Sequence, residues 1–585
     1  MDFKLKSKFA LYLVITLFLF IFIPLTLSLL DKGWQVTLIL FLGNFFIYII
    51  IFLTVLDLIL LTFFKENSYT LSFIIMGLSI SLLVFMEFCF INGLYDFVYV
   101  WTYSDNSLSL LYKLLAIWAD TPGGILSWVV LNSIVIFFYR IKNKNKEDIV
   151  FIRSIILSMV VLLVLLFILI FHDPFMTFFN LNPLIVSNIY NNTPETILLT
   201  RQIYPLGFGM PASLKSLFLL LHPLTTFFFY AFLLIPFSII IAEILTPGKN
   251  LLQTHQKKFS DLSLKCGWLL STLAIGLGSF WASVSSSWNL LYWAWDPVET
   301  GLLIPWIFTT AYFHTKGFQL RRKKTVIKLN VILIFLSIVF TTLITRGGGF
   351  SSLHSGFVSD EILLLIIIIG VSLIVVSLYI IYIFVGFFTE EFQRTKFFFD
   401  YLTYVFFFFL AFVCIFGLLL PPITLYFSRF FPVTAISINP SYFIYSASIP
   451  ATFIGISMIF CSLWNEYKLS RITEFIIIAL IVQLFISLIL LYIINLWINP
   501  TIIIYGLAIF STALKIIRSI KRKMNFTLFY RRISRSLIHL GISFILLGTL
   551  GGPKIFQDIF YISGFYILVL GIIPSILMTF IEKTP

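Results

Sequence analysis

The sequence predicts an all-α polytopic integral membrane protein with about 15 to 16 transmembrane helices. The first supporting observation is composition: 60% of the 585 residues are hydrophobic, 11% are charged, and the mean hydropathy is +1.06. The second is that apolar runs of about 20 residues, the length that crosses a bilayer as a helix, recur along the chain. The third is that these runs are continuous rather than alternating, which favours helices over a barrel.

Sixteen apolar runs qualify as candidate spans, and the first follows three lysines at the N-terminus. Its apolar core is longer than that of a cleavable signal and lacks a small-residue cleavage site, so we interpret it as the first transmembrane helix. The candidate spans are 9–30, 37–62, 70–91, 123–140, 150–171, 223–245, 264–284, 297–315, 326–345, 361–388, 401–426, 446–464, 473–495, 499–517, 533–552 and 559–581.

The basic residues test this helix count. With the N-terminus inside and the spans alternating, 32 of the 39 Lys and Arg residues fall on the inner side. Such an excess of basic residues on the inner side is typical of membrane proteins. The net charge of +14 is therefore a topology signal, and we predict no nucleic-acid partner. The same topology puts the loops 92–122, 172–222, 285–296 and 346–360 on the outer side.

The four cysteines are scattered, mostly within apolar runs. They form no Cys-x-x-Cys pair, which argues against a dithiol relay or a zinc site. Because no Cys-x-x-Cys-His motif occurs either, the chain is not predicted to be a c-type cytochrome itself.

Large aromatic residues cluster in one short outer loop, at Trp288, Tyr292, Trp293 and Trp295. Tryptophan at the membrane interface is common, so an ordinary interface belt is one interpretation. The other is a platform for a flat apolar ligand that carries a metal, because histidines, only six in the chain, flank this loop. Haem is the obvious ligand of that kind.

Asp296 and Glu299 follow the aromatic loop and predict the start of a helix. Asp at the N-cap, Pro297 at the first helical position and Glu299 three residues after the cap form a capping signal. We therefore interpret both carboxylates first as a cap that positions the loop, rather than as catalytic acids.

His222 and His354 lie in outer segments on either side of the aromatic loop in sequence. Proline is tolerated in the first helical turn, so a helix is predicted to begin at Pro223 with His222 at its outer mouth. Haem iron takes axial imidazoles, and two flanking histidines suit an outer haem in kind and number.

His314 and His539 lie inside candidate spans, where an ionisable residue is a functional candidate by default. His314 follows Asp296 by 18 residues, roughly 27 Å along a helix, and His539 lies a few residues into a helix that enters from the inner side. A second, buried haem would satisfy both, and two interhelical hydrogen bonds are the alternative. Asp57 and Glu87 also lie within spans, but no pattern assigns them a role.

The segment Trp293 to Glu299 resembles the tryptophan-rich signature of the haem-handling proteins of cytochrome c maturation. The chain length and the order of its other motifs are most similar to the CcmF-type haem lyases. Those motifs are Leu181-Asn182-Pro183-Leu184, His222-Pro223, Gly276-Leu277-Gly278-Ser279, Ala311-Tyr312-Phe313-His314, Arg346-Gly347-Gly348-Gly349, His354 and His539-Leu540-Gly541.

The resemblance implies a function and a set of ligands. His222 and His354 would be axial ligands of a transient substrate haem on the tryptophan platform, and His314 and His539 would hold a permanent b-type haem. The family joins haem to the thiols of a Cys-x-x-Cys-His motif in apocytochrome c through thioether bonds. The implied partners are apocytochrome c, a haem chaperone, and the thioreduction and apocytochrome-binding subunits of a maturation complex, in which the chain would act as haem lyase.

Two segments depart from the family pattern. Leu290, Leu291 and Tyr292 stand where Gly-Gly-Trp is usual, which removes glycine flexibility from the loop. The outer loop near Trp118 carries Asp120-Thr121-Pro122-Gly123-Gly124 where His-Glu-Gly is usual.

Three regions are expected: N-terminal transmembrane helices over 1–171, a haem-handling core over 172–360, and a C-terminal bundle over 361–585 with the second buried histidine. The alternative function is a membrane protein that holds or transports haem and loads a chaperone without ligation. A respiratory-chain subunit is disfavoured because its histidine or lysine pattern is missing. The 69 phenylalanines indicate an A+T-rich organelle gene, and hence a mitochondrial inner membrane protein with these loops facing the intermembrane space. A bacterial plasma membrane is the alternative.

Overall fold

The computed structural model describes residues 34–581 apart from several short segments. Those segments are 65–66, 144–147, 184–191, 247–253, 286–291, 316–321, 347–359, 389–397, 433, 435, 437, 465–466, 495–499, 523 and 551–553. The predicted first span at 9–30 lies outside the described residues.

Fifteen long helices make up most of the described chain, and each coincides with one of the remaining predicted spans. They are α1 (Trp34–Phe63), α2 (Tyr69–Ile91), α3 (Thr121–Lys142), α4 (Ile149–His172), α5 (Phe218–Ile244), α6 (Thr254–Val284), α7 (Pro297–His314), α8 (Lys323–Arg346), α9 (Asp360–Phe388), α10 (Phe398–Ser428), α11 (Pro440–Leu463), α12 (Leu469–Ile494), α13 (Pro500–Lys521), α14 (Phe526–Leu550) and α15 (Lys554–Ile581).

The predicted fold class, an all-α polytopic membrane protein, is confirmed. Within the described residues there is no β-strand, and only an isolated bridge pairs Phe97 with Thr177. Thirteen of the helices are long and apolar enough to cross a membrane. The two that fall short of that criterion are α7 and α14, the helices that carry His314 and His539.

Local sequence sets where these helices begin. The hydroxyl of Ser68 accepts a hydrogen bond from the amide of Leu71 at 3.2 Å at the start of α2, and the carboxylate of Asp148 caps α4. Prolines inside several helices are tolerated because neighbouring helices and hydroxyl side chains satisfy the backbone groups that they free.

The prediction that a helix begins at Pro223 is wrong. Helix α5 begins at Phe218, so His222 lies within its second turn rather than before it. The amide of Leu219 donates to the carbonyl of Ser216 at 3.1 Å, and the amide of Phe218 donates to the Ser216 hydroxyl at 3.3 Å, so the serine starts an extra turn. Proline restricts the turn before it, but it does not prevent helix there when such a start signal is present.

The chain divides into two compact units, residues 1–270 and 271–585. In the first unit, Arg140 near the end of α3 pairs with Asp57 of α1 at 2.8 Å, and both side chains are fully buried. A guanidinium nitrogen of Arg140 also donates to the carbonyl of Ser68, 3.4 Å away, where α2 begins. This contact joins three helices through charges that lipid cannot solvate, and it gives Asp57 a partner that its sequence position did not indicate.

In the second unit, α14 and α15 form a hairpin in which the two backbones touch. A Cβ atom at Gly541 would lie 2.5 Å from the amide nitrogen of Leu568, and one at Gly564 would lie 2.7 Å from the carbonyl oxygen of Gly541. Ser534 donates to the carbonyl of Gly571 at 2.5 Å in the same interface. Small residues allow helices to approach this closely in membranes, and the contact fixes the part of α14 that carries His539.

The three regions predicted from the sequence, 1–171, 172–360 and 361–585, stay a prediction. The boundary between the compact units lies at residue 270, within α6.

Breaking the buried pair should destabilise the first unit strongly. We expect Arg140→Met to lower the free energy of unfolding by about 3–5 kcal/mol, because the Asp57 carboxylate then stays buried without a counter-charge. The double variant with Asp57→Leu should recover most of that loss. Thermal unfolding of the purified protein in detergent measures both.

The half-exposed ion pair between Arg201 and Asp96, 2.7 Å apart, provides the control. Arg201→Met should cost about 1 kcal/mol or less. Equal unfolding temperatures for Arg140→Met and the double variant would show that an unpaired charge is not the cause of the loss.

Candidate functional site

The capping signal predicted before α7 is present. The Asp296 side chain accepts a hydrogen bond from the amide of Glu299 at 2.7 Å, and Pro297 takes the first helical position. The Glu299 carboxylate reaches back two residues further than the capping box requires and accepts from the amide of Ala294 at 2.8 Å. Ala294 lies between Trp293 and Trp295, so the cap also holds the end of the aromatic loop.

Trp295 is the most constrained residue of this loop. Its φ is +58°, the left-handed region that side chains other than those of Gly and Asn rarely adopt. Its indole is 6% exposed and stacks on Phe443 of α11, with ring centroids 5.7 Å apart and an angle of 5° between the planes. Trp293 packs edge-on against Trp295 at 5.5 Å. The favourable energy of these ring contacts outweighs the cost of the positive φ angle at Trp295.

Three polar atoms beside this loop are buried with no hydrogen-bond partner among the described residues. They are the indole nitrogens of Trp293 and Trp295 and the Oε1 atom of Glu299. An unsatisfied buried polar group costs free energy, and such groups in folded proteins frequently mark functional sites.

The two indoles line a cavity within the second unit, whose water-accessible volume is about 80 Å³. Helices α6, α7, α10, α11, α14 and α15 contribute its almost wholly apolar lining, which includes Trp306, Phe407 and Ile542. This volume is well below that of small-molecule and cofactor sites. A large apolar ligand would therefore require the lining side chains to move apart.

Tyr561 of α15 adds a polar group to the cavity lining. Its hydroxyl lies 3.0 Å from that of Ser279, and its ring stacks on Tyr292 at 6.1 Å. Tyr292, predicted as part of the aromatic platform, thus stacks on Tyr561, which no sequence motif had marked.

His314 and His539 lie close enough for their imidazoles to interact electrostatically. The Nδ1 atom of His314 lies 2.9 Å from the carbonyl oxygen of Thr310, which fits a donated hydrogen bond that would set the ring's tautomer and orientation. Its ring packs on Phe407, a cavity residue, at 5.3 Å, and His539 precedes Ile542, another cavity residue, by three positions. The pair therefore lies beside the cavity, on two helices that sequence alone could not bring together.

The outer histidines are not brought together by the described part of the structure. His222 is half-buried in α5 of the first unit, and its carbonyl accepts hydrogen bonds from the hydroxyls of Thr225 and Thr226. His354 and Trp288 lie outside the described residues.

Sequence reasoning missed several side chains beside the histidine pair. Asp400, Lys515 and Arg535 all exert electrostatic effects on one of the two imidazoles. The two basic residues had entered only the topology count, and no motif marked Asp400.

Residues 118–350 match the family described as "Cytochrome C assembly protein". The probable cytochrome c-type biogenesis protein NrfE of Escherichia coli (strain K12) is 27% identical over 290 residues, which are 47% of this chain and 46% of that protein. The cytochrome c-type biogenesis protein CcmF of the same strain is 29% identical over 298 residues, 49% of this chain and 41% of that protein.

The chain is thus similar to the CcmF-type cytochrome c assembly proteins, as the sequence motifs predicted. The matched segments cover less than half the length of these curated relatives. The solved structure "Cytochrome c Heme Lyase CcmF" superposes with a TM-score of 0.53 at 16% sequence identity, covering 87% of this chain and 76% of that one. That likeness shows a shared fold. The matched region 118–350 contains the aromatic loop, His222 and His314, whereas His539 lies beyond it.

Removing the cap should loosen the aromatic loop. We expect Asp296→Ala to lower the free energy of unfolding by about 1 kcal/mol, because the Glu299 amide loses its acceptor. Asp296→Asn is the matched control, since its amide oxygen can still cap the helix.

The stability of the wild type and that of Asp296→Asn should also depend differently on pH. Burial raises the pKa of the Asp296 carboxyl above its ordinary value of 3.8. The folded state therefore binds the proton more tightly, and the stability this gives, complete below pH 3.8, is lost as the pH rises through the folded-state pKa. Asp296→Asn should show no such loss. Parallel curves of unfolding temperature against pH for the wild type and this variant would contradict the assignment.

Proposed function

We propose that this protein acts in cytochrome c maturation by binding haem and taking part in its covalent attachment to apocytochrome c. The observation that supports this most is the pair His314 and His539, two histidines on α7 and α14 that interact electrostatically beside an apolar cavity. Two imidazoles and apolar walls are what a b-type haem needs. The family match supports the same conclusion independently.

The residues fit the buried haem chemically. The Thr310 carbonyl fixes the tautomer of His314 and orients its ring, as carbonyls do for other metal-binding histidines. The apolar walls exclude water, and His314 and His539 would hold the iron through their imidazoles. When bound, this haem would pass electrons from an external reductant to the second haem.

The outer, transient haem is proposed to bind through His222 and His354, with Trp288, Tyr292, Trp293 and Trp295 around its macrocycle. The stacking of Trp295 on Phe443 and its rigid cap support a fixed platform rather than a mobile one. Each thiol of the Cys-x-x-Cys-His motif would add its sulfur and its hydrogen across a vinyl group, so that no leaving group is needed. The proposed partners are apocytochrome c, the haem chaperone, and the thioreduction and apocytochrome-binding subunits.

A second candidate function is haem holding or transport without ligation. The family match is equally compatible with this candidate, because residues 118–350 contain the aromatic loop and His222 but not His539. In this second function, the aromatic loop would pass haem to a chaperone, and another protein would form the thioether bonds.

For the compartment, we propose the mitochondrial inner membrane, with the bacterial plasma membrane as the alternative. The phenylalanine-rich composition supports the first, and the bacterial origin of the curated relatives supports the second. The outer loops would face the intermembrane space or the periplasm respectively.

The purified protein should carry a low-spin b-type haem. We expect His314→Ala or His539→Ala to remove its absorbance almost completely, because one axial imidazole no longer holds the iron. A visible spectrum of each variant, normalised to protein, measures this. His172→Ala is the control, since that imidazole lies 3.1 Å from the Ile168 carbonyl at the end of α4. Retention of the haem in both test variants would rule out the buried site.

Variants of the outer histidines should have different effects from variants of the buried pair. His222→Ala or His354→Ala should leave the low-spin spectrum intact and reduce holocytochrome c production at least tenfold, since only the substrate haem loses a ligand. Haem-stained gels of the cytochrome produced in cells quantify the product. Haem delivered to a chaperone by a protein that makes no holocytochrome c would instead support the transport function.

A further inference from the structure

A short helix in one outer loop of the first unit exposes its leucine side chains. It runs Leu110–Leu115, in the segment that connects α2 with α3. Leu110, Leu111 and Leu114 are 60%, 48% and 37% exposed. Lys113, the one charged residue of this helix, is half-buried. A helix on a water-facing surface has the opposite arrangement, with its charged residues outermost and its leucines packed inwards. The exposed leucine face therefore does not suit contact with water.

The helix lies where two membrane-spanning helices emerge. It packs against α2, and the turn Ala116–Trp118 that follows it contacts α2, α3 and α5. The Tyr112 hydroxyl donates a hydrogen bond to the carbonyl of Lys215 at 3.2 Å. Lys215 precedes the start of α5 at Phe218 by three residues. The short helix is therefore fixed at the level of the membrane boundary, beside the outer ends of α2 and α5.

The exposed side chains at these two helix ends are also apolar. Ile91 is exposed at the end of α2, Leu217 is exposed directly before α5, and Leu221 is exposed in its first turns. Both helices are long and apolar enough to cross a membrane, so exposed apolar residues at their ends border lipid. The leucines of the short helix continue this apolar surface at its outer edge.

The rest of the short helix suits the membrane interface. Three leucines on one face form a cluster, unlike the single apolar residues that are scattered over ordinary protein surfaces. Between Leu111 and Leu114 stand Tyr112 and Lys113. A tyrosine ring is favoured at the level of the headgroups, and a lysine can extend its ammonium to them along an apolar stem. A lipid boundary therefore accommodates both the leucines and the polar residues.

We propose that Leu110, Leu111 and Leu114 insert into the outer leaflet of the lipid bilayer, so that this helix anchors the outer loop to the membrane surface. Helices of this kind place their apolar face roughly 5–10 Å into the boundary between headgroups and acyl chains. The hydrogen bond from Tyr112 links the anchored helix to the start of α5, the helix that carries His222. The inference requires no haem and does not depend on the proposed function.

A second short helix of the same unit provides a matched control. It runs Pro194–Ile203 in the loop between α4 and α5, and its Leu199 is 60% exposed. Its exposed surface also includes Glu195 and Gln202, which interact favourably with water. Both helices thus expose leucine, but only the helix Leu110–Leu115 has an exposed face made of leucine alone.

Quenching of a fluorescent label distinguishes lipid from water at each position. The full-length protein carries Leu111→Cys, Leu199→Cys or Val84→Cys, is labelled with nitrobenzoxadiazole, and is placed in phosphatidylcholine nanodiscs. Val84, an exposed residue within α2, is the reference for lipid contact. Brominated acyl chains quench a label in lipid, and iodide quenches a label in water. The label signal of the wild type, whose four cysteines lie within helices, is subtracted.

The label at position 111 should behave like the one at position 84. We expect its ratio of quenching by brominated lipid to quenching by iodide to exceed that at position 199 roughly fivefold, because the leucine face lies below the headgroups. All three positions are exposed, so the substitutions remove no buried contact and the variants should fold.

A second measurement uses the wild type and so does not depend on any variant. The protein is placed in nanodiscs that contain phosphatidylcholine with a photoreactive diazirine in its acyl chain. After irradiation and digestion, mass spectrometry identifies the peptides that carry lipid. We expect modification within 110–115 and at exposed residues of α2 and α5, and none within 194–203.

Each result decides between lipid and another environment. Quenching at position 111 by iodide and not by brominated lipid shows a face open to water and overturns the inference. Quenching by neither reagent means that another part of this chain covers the leucines, which also overturns it. Equal quenching by brominated lipid at positions 111 and 199 assigns the contact to the outer loops as a whole, with the same consequence. Diazirine modification of α2 and α5 without any in 110–115 overturns the inference in the wild type itself.

Discussion

The fold depends on one constraint: inside a bilayer, every backbone N–H and C=O must bond within the protein. Helices meet that requirement within each segment, which explains why the described residues contain long helices and no strand. For the same reason, unpaired backbone groups at helix ends and charged side chains cost free energy inside the membrane. Asp57 and Arg140 neutralise each other's charge as a buried ion pair 2.8 Å apart, and α7 begins under a cap in which Asp296 and Glu299 each accept a backbone N–H.

Helix association then needs contacts other than hydrophobic burial, because lipid is as apolar as the helix surfaces. The α14–α15 hairpin uses glycine at Gly541 and Gly564 to bring the backbones together. Aromatic stacking performs a similar role between the Trp295 loop and α11. The two histidine-bearing helices are held by these local contacts, and both are less apolar than the helices that meet the membrane-span criterion.

Periodicity and length of apolar runs predicted the helices well, because a span must be both long and apolar. The cap at Asp296 was also predictable, since it uses only neighbouring residues. The start of α5 was not, because Ser216 supplies an initiating acceptor that outweighs the signal from Pro223. The residues of the site were predictable only in part. His314 and His539 could be recognised as polar residues within spans. Phe443, Tyr561 and Lys515 come from distant segments that only tertiary packing brings together.

The backbone of Trp295 has a consequence for how the loop responds to its surroundings. A non-glycine residue at φ +58° sits roughly 1–2 kcal/mol above its preferred conformation. That energy stays stored only while the face of Phe443 and the Glu299 carboxylate hold the segment. The conformation of Trp295 therefore depends on the position of α11: a displacement of that helix would remove the stacking partner that offsets the backbone strain.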